Sequence, residues 1–129
     1  MDKIFKALED LLKNLNSIRN KIEVRYVGST LSAPSTISLD APFYQIENIT
    51  FEIKCTVESH HGPQDLYNLV DKVRGIVLGK RVTGFDPMLS GFFEVASQYT
   101  DENNSIHSQT LVISCERPRY IQQRVLGTT

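Results

Sequence analysis

The feature that most constrains the fold of this chain is a strictly alternating segment at residues 49–59. Apolar or thiol side chains occupy Ile49, Phe51, Ile53, Cys55 and Val57, and polar or charged side chains occupy the positions between them. Successive residues of a strand point to opposite faces, so one face of this strand is buried and the other is wet. That arrangement is typical of an antiparallel sheet with helices packed on one face.

Two amphipathic helices flank this strand in the sequence. The first is predicted over residues 2–17, and the second begins at Pro63 and ends at Gly79, because glycine readily adopts the conformation that stops a helix. Each has a single apolar stripe at helical spacing. The first stripe comprises Ile4, Phe5, Leu8, Leu11, Leu12, Leu15 and Ile18, and the second comprises Leu66, Leu69, Val70, Val73, Ile76 and Val77.

Three further strands are predicted from alternation, at residues 21–27, 92–99 and 106–116, with an open turn at 101–104 between the last two. The parity of the central strand slips upstream, near Glu47 and Asn48, where we predict a β-bulge. The resulting order is αββαββ. It predicts an α+β domain over residues 1–117, with a mostly antiparallel sheet of about four strands and both helices on one face.

Residues 28–45 interrupt this pattern and contain a single charged residue, Asp40. A structureless loop of that length is unusual inside a compact domain, and so few charges are unusual for a disordered linker. Weak alternation on both sides of the turn residues 32–35 indicates an arm, in the form of an extended β-hairpin. We expect this arm to leave its own domain and pack on another molecule, most simply another subunit.

The last residues, 118–129, show no consistent period, and we predict that they form an extended tail. Together, the arm, the strand before it, the second helix and the tail supply the candidate residues for a subunit or partner interface. These are Tyr26, Leu31, Ile37, Leu39, Phe43, Tyr44, Arg74, Arg117, Arg119 and Tyr120.

The composition limits the possible partners. The chain has 129 residues and a formal net charge of −1, so it lacks the basic excess that favours nucleic-acid or anionic-membrane binding. No apolar run approaches the ~20 residues of a membrane span. Charges interrupt the N-terminal segment, so we do not interpret it as a signal peptide and expect synthesis in the cytosol. Cys55 and Cys115 lie in strand patterns and are predicted to be reduced, buried thiols.

No pattern of reactive residues predicts an enzyme. His60, His61, His107 and the two cysteines lack the spacings of a metal site, so no metal or cofactor is expected. No serine lies in a nucleophile motif, and the cysteines fall on core-facing positions that disfavour a thiolate. We therefore expect an assembly component without catalytic residues.

The segment HGPQDLYNLVDKVRGIVLG, preceded by the strand ITFEIKCTVES, resembles the tail terminator proteins of tailed phages and related contractile injection systems. The resemblance is carried by Tyr67, Leu69, Asp71, Val73, Arg74, Leu78 and Gly79. It extends over roughly residues 1–116, including the first helix, the strand end Tyr26-Val27-Gly28-Ser29 and the last two strands. Asp71 and Arg74 are its most informative residues, because they can pair on the helix surface or Arg74 can reach a neighbour.

The resemblance implies a small subunit that assembles as a hexameric ring on the last ring of the tail tube. Such a ring stops tube polymerisation, and its other face receives the neck or connector of the head. The implied partners are copies of the same chain, tail tube protein and neck or connector protein, with sheath protein as a further candidate. DNA passes through the lumen without specific binding, and no membrane is involved. The implied location is the head-proximal end of the virion tail, after assembly in the host cytoplasm.

Two alternatives stay open at the level of the sequence. A neck or head-completion protein could share the same small α+β design. A small ligand- or peptide-binding domain could instead use the sheet face or the arm as a cleft.

Overall fold

The computed structural model describes residues 2–32, 43–82, 89–101 and 105–121. In chain order the elements are α1 (Asp2–Leu12), a 3₁₀ turn (Lys13–Leu15), β1 (Asn20–Leu31), β2 (Phe43–Glu58), α2 (Gln64–Val77), β3 (Phe93–Asp101) and β4 (Ile106–Ile121). This is the α+β fold and the αββαββ order that the sequence predicts.

Within the described chain, four strands form one antiparallel sheet in the order β1-β2-β4-β3. The central pair, β2 and β4, is in continuous register from Phe43 opposite Ile121 to Glu58 opposite Ile106. The outer strands β1 and β3 each pair with one of these two. The long central pair is therefore the backbone on which the rest of the sheet is built.

The core lies between one face of the sheet and the two helices. Its fully or almost fully buried members are Ile4, Leu8 and Leu12 of α1, Leu66, Leu69, Val70, Val73 and Val77 of α2, Ile49, Phe51, Ile53, Cys55, Val57, Leu111, Ile113 and Cys115 of the sheet, and Leu89 and Phe92 just before β3. The predicted alternation of the central strand is confirmed. Burial of each large apolar side chain contributes roughly 1.5–3 kcal/mol, so this layer provides the main stabilisation of the domain.

The first helix is shorter than predicted, and Ile18 is not part of its apolar stripe. α1 ends at Leu12, and the chain turns back at Asn16, whose side-chain oxygen accepts a hydrogen bond from the Ile22 amide at 2.8 Å. Ile18 lies on this turn and is fully exposed. Helical spacing alone could not show that the backbone becomes extended at Asn16, before this residue.

The predicted ends of α2 are close to those observed. Pro63 is the residue before the first helical turn, and Gly79 has φ of +79° just after the helix, as expected for a glycine that stops it.

The bulge predicted near Glu47 and Asn48 is wrong. β2 pairs with β4 through both residues without a shift, because Glu47 occupies the same face as Ile49 and continues the alternation with a buried carboxylate. The register shifts lie instead in the outer strands. Val27 is the extra residue in β1, and Val95 is the extra residue in β3.

The boundaries of the predicted arm and tail also change. Residues 28–31 belong to β1 and residues 43–45 belong to β2, so the base of the arm is part of the sheet. The tail does not begin at Pro118, because β4 continues to Ile121 against the start of β2. Ile37, Leu39 and the turn residues 102–104 lie outside the described residues, as do residues 122–129.

Candidate assembly surface

Three strands continue past the buried apolar core, and we call this region the strand extension. It comprises residues 28–31 of β1, 43–48 of β2 and 116–121 of β4. In β2 and β4, the last fully buried apolar residues before the extension are Ile49 and Cys115. At about 3.3 Å per residue, the β2 part of the extension is about 20 Å long.

A buried ion pair lies at the base of the strand extension. Glu47 is only 5% exposed, and its Oε1 accepts a hydrogen bond from Nε of Arg117, its cross-strand partner on β4. Nη1 of Arg119 lies 3.7 Å from the other carboxylate oxygen. A buried carboxylate is tolerated when charged donors compensate it, so these arginines hold β2 and β4 together where the core ends.

Residues 89–90, just before β3, also hold β4 in place where the strand extension begins. The Ser90 amide donates to the Glu116 carbonyl at 2.7 Å, and the Glu116 amide donates back to Ser90 Oγ at 2.9 Å. Nε of Arg81 donates to the Leu89 carbonyl at 3.1 Å, which holds this segment from the other side. β4 is therefore held on both edges where it leaves the core.

Six of the ten predicted interface residues come together in this region of the described chain. They are Leu31, Phe43, Tyr44, Arg117, Arg119 and Tyr120. Leu31 is half exposed and lies opposite Glu47, while the backbone of Tyr44 pairs with that of Tyr120. Segments that are far apart in the sequence therefore meet in one stretch of the sheet, which the sequence predicted only as separate segments.

Tyr26 lies at the edge of the core rather than on the extension. Its ring is 5.5 Å from that of buried Phe51, and about a third of the residue is exposed. It therefore has a packing role within its own chain in addition to the predicted interface role.

Arg74 lies on a different part of the surface and is engaged within its own chain. Its Nε donates to Oε1 of Glu94 on β3 at 2.8 Å, and its Nη1 is 3.6 Å from Oδ1 of Asp71 on the same helix. The hydrogen bond to Glu94 raises the pKa of the Arg74 guanidinium further above its ordinary value. Arg74 therefore connects α2 to β3, a contact that sequence spacing did not predict.

The outer strands carry most of the exposed large hydrophobic side chains of the described residues. Those on the outer strands are Tyr26, Val27 and Leu31 of β1 and Phe93, Val95 and Tyr99 of β3, and the others are Ile18, Tyr67 and Leu78. Val27 and Val95 are the extra residues of the two bulges and are called the bulge valines below. The sequence did not predict either bulge. A single inserted residue only shortens the alternating pattern of its strand, and a shorter pattern looks like a shorter strand.

The cysteines are buried and, in the described structure, not disulfide-bonded, which confirms their predicted state. Burial raises the pKa of Cys55 to about 12 and that of Cys115 to about 11. Both thiols are therefore protonated at neutral pH and are poor nucleophiles.

The three histidines do not converge on one site. His107 is buried, and its Nδ1 is 2.9 Å from the Tyr99 hydroxyl, whereas His60 and His61 are exposed. Among the described residues, no group of three or more metal-ligating side chains is positioned to bind an ion. Neither α1 nor α2 has the length and apolar character that crossing a membrane requires, and they are the α-helices of the described ranges.

Comparison of the chain with protein-family models and with curated proteins found no match. The resemblance to tail terminators therefore depends on the residues of α2. Leu69 and Val73 are buried in the core, and Asp71 pairs with Arg74 on the surface. The first two are explained by packing, and Arg74 in addition links the helix to the sheet through Glu94.

Proposed function

We propose that this chain is a structural protein of a phage or phage-like tail, a tail terminator that forms a hexameric ring at the head-proximal end. The observation that carries the proposal is the strand extension, whose two adjacent strands β1 and β2 are joined by residues 33–42. That joining segment has one charged residue, Asp40. The resemblance of the α2 segment to tail terminators supplies the specific identity.

The strand extension suits a role in holding neighbouring subunits. Three hydrogen-bonded strands, a buried ion pair and the Ser90–Glu116 contacts keep its base in a fixed direction. A poorly charged segment presented from a fixed base can bury apolar surface against a second molecule with little loss of conformational entropy. Large apolar interfaces of this kind are characteristic of obligate assemblies.

A ring requires head-to-tail contacts that close by rotation. One face of the ring would bind the last ring of tail tube protein and stop its polymerisation, and the other would bind the neck or connector protein. The net charge of −1 is compatible with DNA passing through a lumen without being retained, since tight phosphate binding needs clustered lysines or arginines. In this proposal the protein acts through its interfaces rather than through catalysis.

The experiment compares the full chain with a variant in which residues 33–42 are replaced by Gly-Ser-Gly-Ser, a linker long enough to join Ser32 to Phe43. Native mass spectrometry over a range of concentrations, with and without tail tube protein, measures the oligomeric state. We expect the full chain to form a hexamer and the variant to stay folded by circular dichroism without forming one. His61→Ser, at the opposite end of β2, is the control and should keep the hexamer.

A full chain that stays monomeric at every concentration, and does not bind tube protein, would overturn the proposal. A ring that binds connector protein but not tube protein would instead identify a neck or head-completion protein. If the linker variant loses its fold, residues 33–42 belong to the core and not to an interface.

A further inference from the structure

The two outer strands of the sheet run in opposite directions. All pairings in the described sheet are antiparallel, and its order β1-β2-β4-β3 contains an even number of strands. If a second copy is placed beside the first in the same orientation, its β1 edge faces the β3 edge of the first copy. These two strands then run antiparallel to each other. The helices of both copies then lie on the same side of one continuous sheet.

The outer strands are also aligned across the sheet. One row of residues runs from Asn20 through Val57 and His107 to Asp101, so the start of β1 and the end of β3 lie at the same level. Direct continuation of the sheet places Asp101 of one copy beside Asn20 of the next.

The two bulges lie at nearly the same level on opposite edges. The β1 bulge follows the residue paired with Phe51, and the β3 bulge follows the residue paired with Ile113, which is itself the partner of Phe51. The bulge valines, Val27 and Val95, are 47% and 59% exposed. Because β1 and β3 run in opposite directions, Val27 and Val95 lie on opposite sides of the row through Phe51 and Ile113. Continuation of the rows therefore brings the bulge valines of neighbouring copies to within about one residue of each other along the strands. Contact between them removes both from water.

Charge favours pairing between different edges over pairing between identical ones. β3 contains two acidic residues, Glu94 and Asp101, and no lysine or arginine. Residues 19–31, which contain β1, include three basic residues and one acidic residue. Glu94 and Arg25 already have partners within the chain, Arg74 and Glu52. By formal charge, pairing of two β3 strands would still bring two acidic strands together, whereas β1 carries a basic excess.

Part of each outer edge is already bonded within its own chain. The Ser17 amide donates to the Asn20 carbonyl at 2.9 Å, and the Gly79 amide donates to the Phe92 carbonyl at 2.8 Å. These contacts cover the beginning of β1 and the residue just before β3. A contact with a second copy is therefore left to the rest of each edge, which includes Val27 of β1 and Val95, the third residue of β3.

We propose that the β1 edge of one copy pairs with the β3 edge of the next, head to tail, with Val27 against Val95. The inference rests on the proposed function in that the repeated contact closes into a ring. It identifies which surfaces form the interface between subunits, and these surfaces are distinct from the strand extension. Exposed apolar edge strands readily pair with another chain, which gives this contact its physical basis.

Disulfide cross-linking tests the pairing directly. In the double variant V27C/V95C, mild oxidation should produce a ladder of covalent oligomers up to the size of the ring on a non-reducing gel. V27C alone and V95C alone should stay monomeric, because each interface contains one residue of each kind. The native thiols do not interfere, since Cys55 and Cys115 are buried.

The outcomes separate this inference from the proposed function. Efficient dimers from either single variant would show pairing of identical edges and overturn the inference. A wild-type ring in native mass spectrometry, together with no cross-linking of V27C/V95C, would also overturn it while leaving the proposed function intact. A wild-type chain that is monomeric under all conditions would contradict both.

A charge exchange provides a second, independent measurement. We expect V27K/V95K to weaken ring formation at least about tenfold in dissociation constant, and V27K/V95E to restore most of it, because opposite charges then meet across the strands. Thr56→Lys, which adds a lysine to the open face of β2, is the matched control and should have little effect. If the like-charged and opposite-charged pairs behave identically, Val27 and Val95 are not in contact.

Discussion

Glu47 and Arg117, 70 residues apart in the sequence, form a buried ion pair that joins β2 to β4 where the apolar core ends. The sequence pattern predicted a β-bulge near Glu47, and it placed Arg117 at the end of the domain, just before an extended tail. The pair takes the place of apolar packing at the beginning of the strand extension, next to the last buried apolar residues. A charged pair also specifies its partner, so it fixes the register of the two longest strands.

Removing the arginine should therefore destabilise the domain. Arg117→Met leaves the Glu47 carboxylate buried with only the more distant Arg119, and we expect a loss of about 2–3 kcal/mol in the free energy of unfolding. Urea unfolding followed by circular dichroism measures this. Arg25→Met is the matched control, because the Arg25–Glu52 pair is exposed and should contribute less than about 1 kcal/mol. Equal losses in both variants would contradict a special role for the buried pair.

The effect of a C-terminal truncation on stability should depend strongly on where the chain is cut. Ending the chain after Glu116 removes Arg117 and the β4 strand that pairs with residues 43–47, so we expect loss of cooperative unfolding near the extension and a lower midpoint in urea. Ending it after Ile121 keeps every described pairing and should leave the midpoint unchanged. If the shorter chain is as stable as the longer one, the strand extension does not contribute to the domain.

The sequence was sufficient to predict the fold class because its signals are local. The alternation from Ile49 to Val57 and the apolar stripes of the two helices each follow from the geometry of one element. A mostly antiparallel sheet then follows from strands that have one buried face and one wet face.

The strand extension could not be predicted because its stabilisation is not local. Pro118 and Arg119 break any apolar pattern, yet they lie in β4 because β2 provides the hydrogen-bonding partner. A β-bulge was predicted near Glu47, since a pattern of apolar residues cannot detect a buried carboxylate that pairs with a distant arginine. Of the interface candidates, Leu31 is half exposed and Arg117 is partly exposed beside Glu47. Their interface role stays a prediction.

Arg74 is one of the residues that carry the resemblance to tail terminators. Its substitution tests whether it acts within its own chain or between chains. Arg74→Met removes the contacts to Glu94 and Asp71, and we expect a loss of about 1 kcal/mol because the side chain is partly exposed. Asp71→Asn should cost less, since that side chain is mostly exposed. Ring mass in native mass spectrometry should be unchanged in both. A stable Arg74→Met variant that forms no ring would show that Arg74 contacts a neighbour.

The buried thiols should make stability depend on alkaline pH. Burial raises the pKa of Cys55 to about 12 and of Cys115 to about 11 from an ordinary value of 9.0. Above pH 9 the unfolded chain loses these protons and the folded chain keeps them, so stability is complete below pH 9 and falls as the pH rises toward the folded values. By pH 10.5 each thiol should lower the free energy of unfolding by roughly 2 kcal/mol.

The measurement is urea unfolding from pH 8 to pH 10.5 for the wild type and for Cys55→Ala/Cys115→Ala. The variant should be less stable at pH 8 and should lose less stability on the way to pH 10.5. All other groups are shared by the two proteins, so the difference in slope isolates the thiols. Identical slopes would mean that the thiols ionise as readily in the folded state as in the unfolded one.

Two glycines should respond in opposite directions to the same substitution. A Cβ at Gly91 would lie 2.6 Å from the carbonyl oxygen of Gly79, a backbone atom that is held by its own hydrogen-bonded neighbours. Gly91→Ala should therefore destabilise by about 1–3 kcal/mol, as overpacking does. Gly75 lies within α2 with nothing near its Cβ position, so Gly75→Ala should stabilise by up to about 1 kcal/mol through helix propensity. Thermal unfolding of the two variants measures both signs, and a neutral Gly91→Ala would show that the segment before β3 can move away from Gly79.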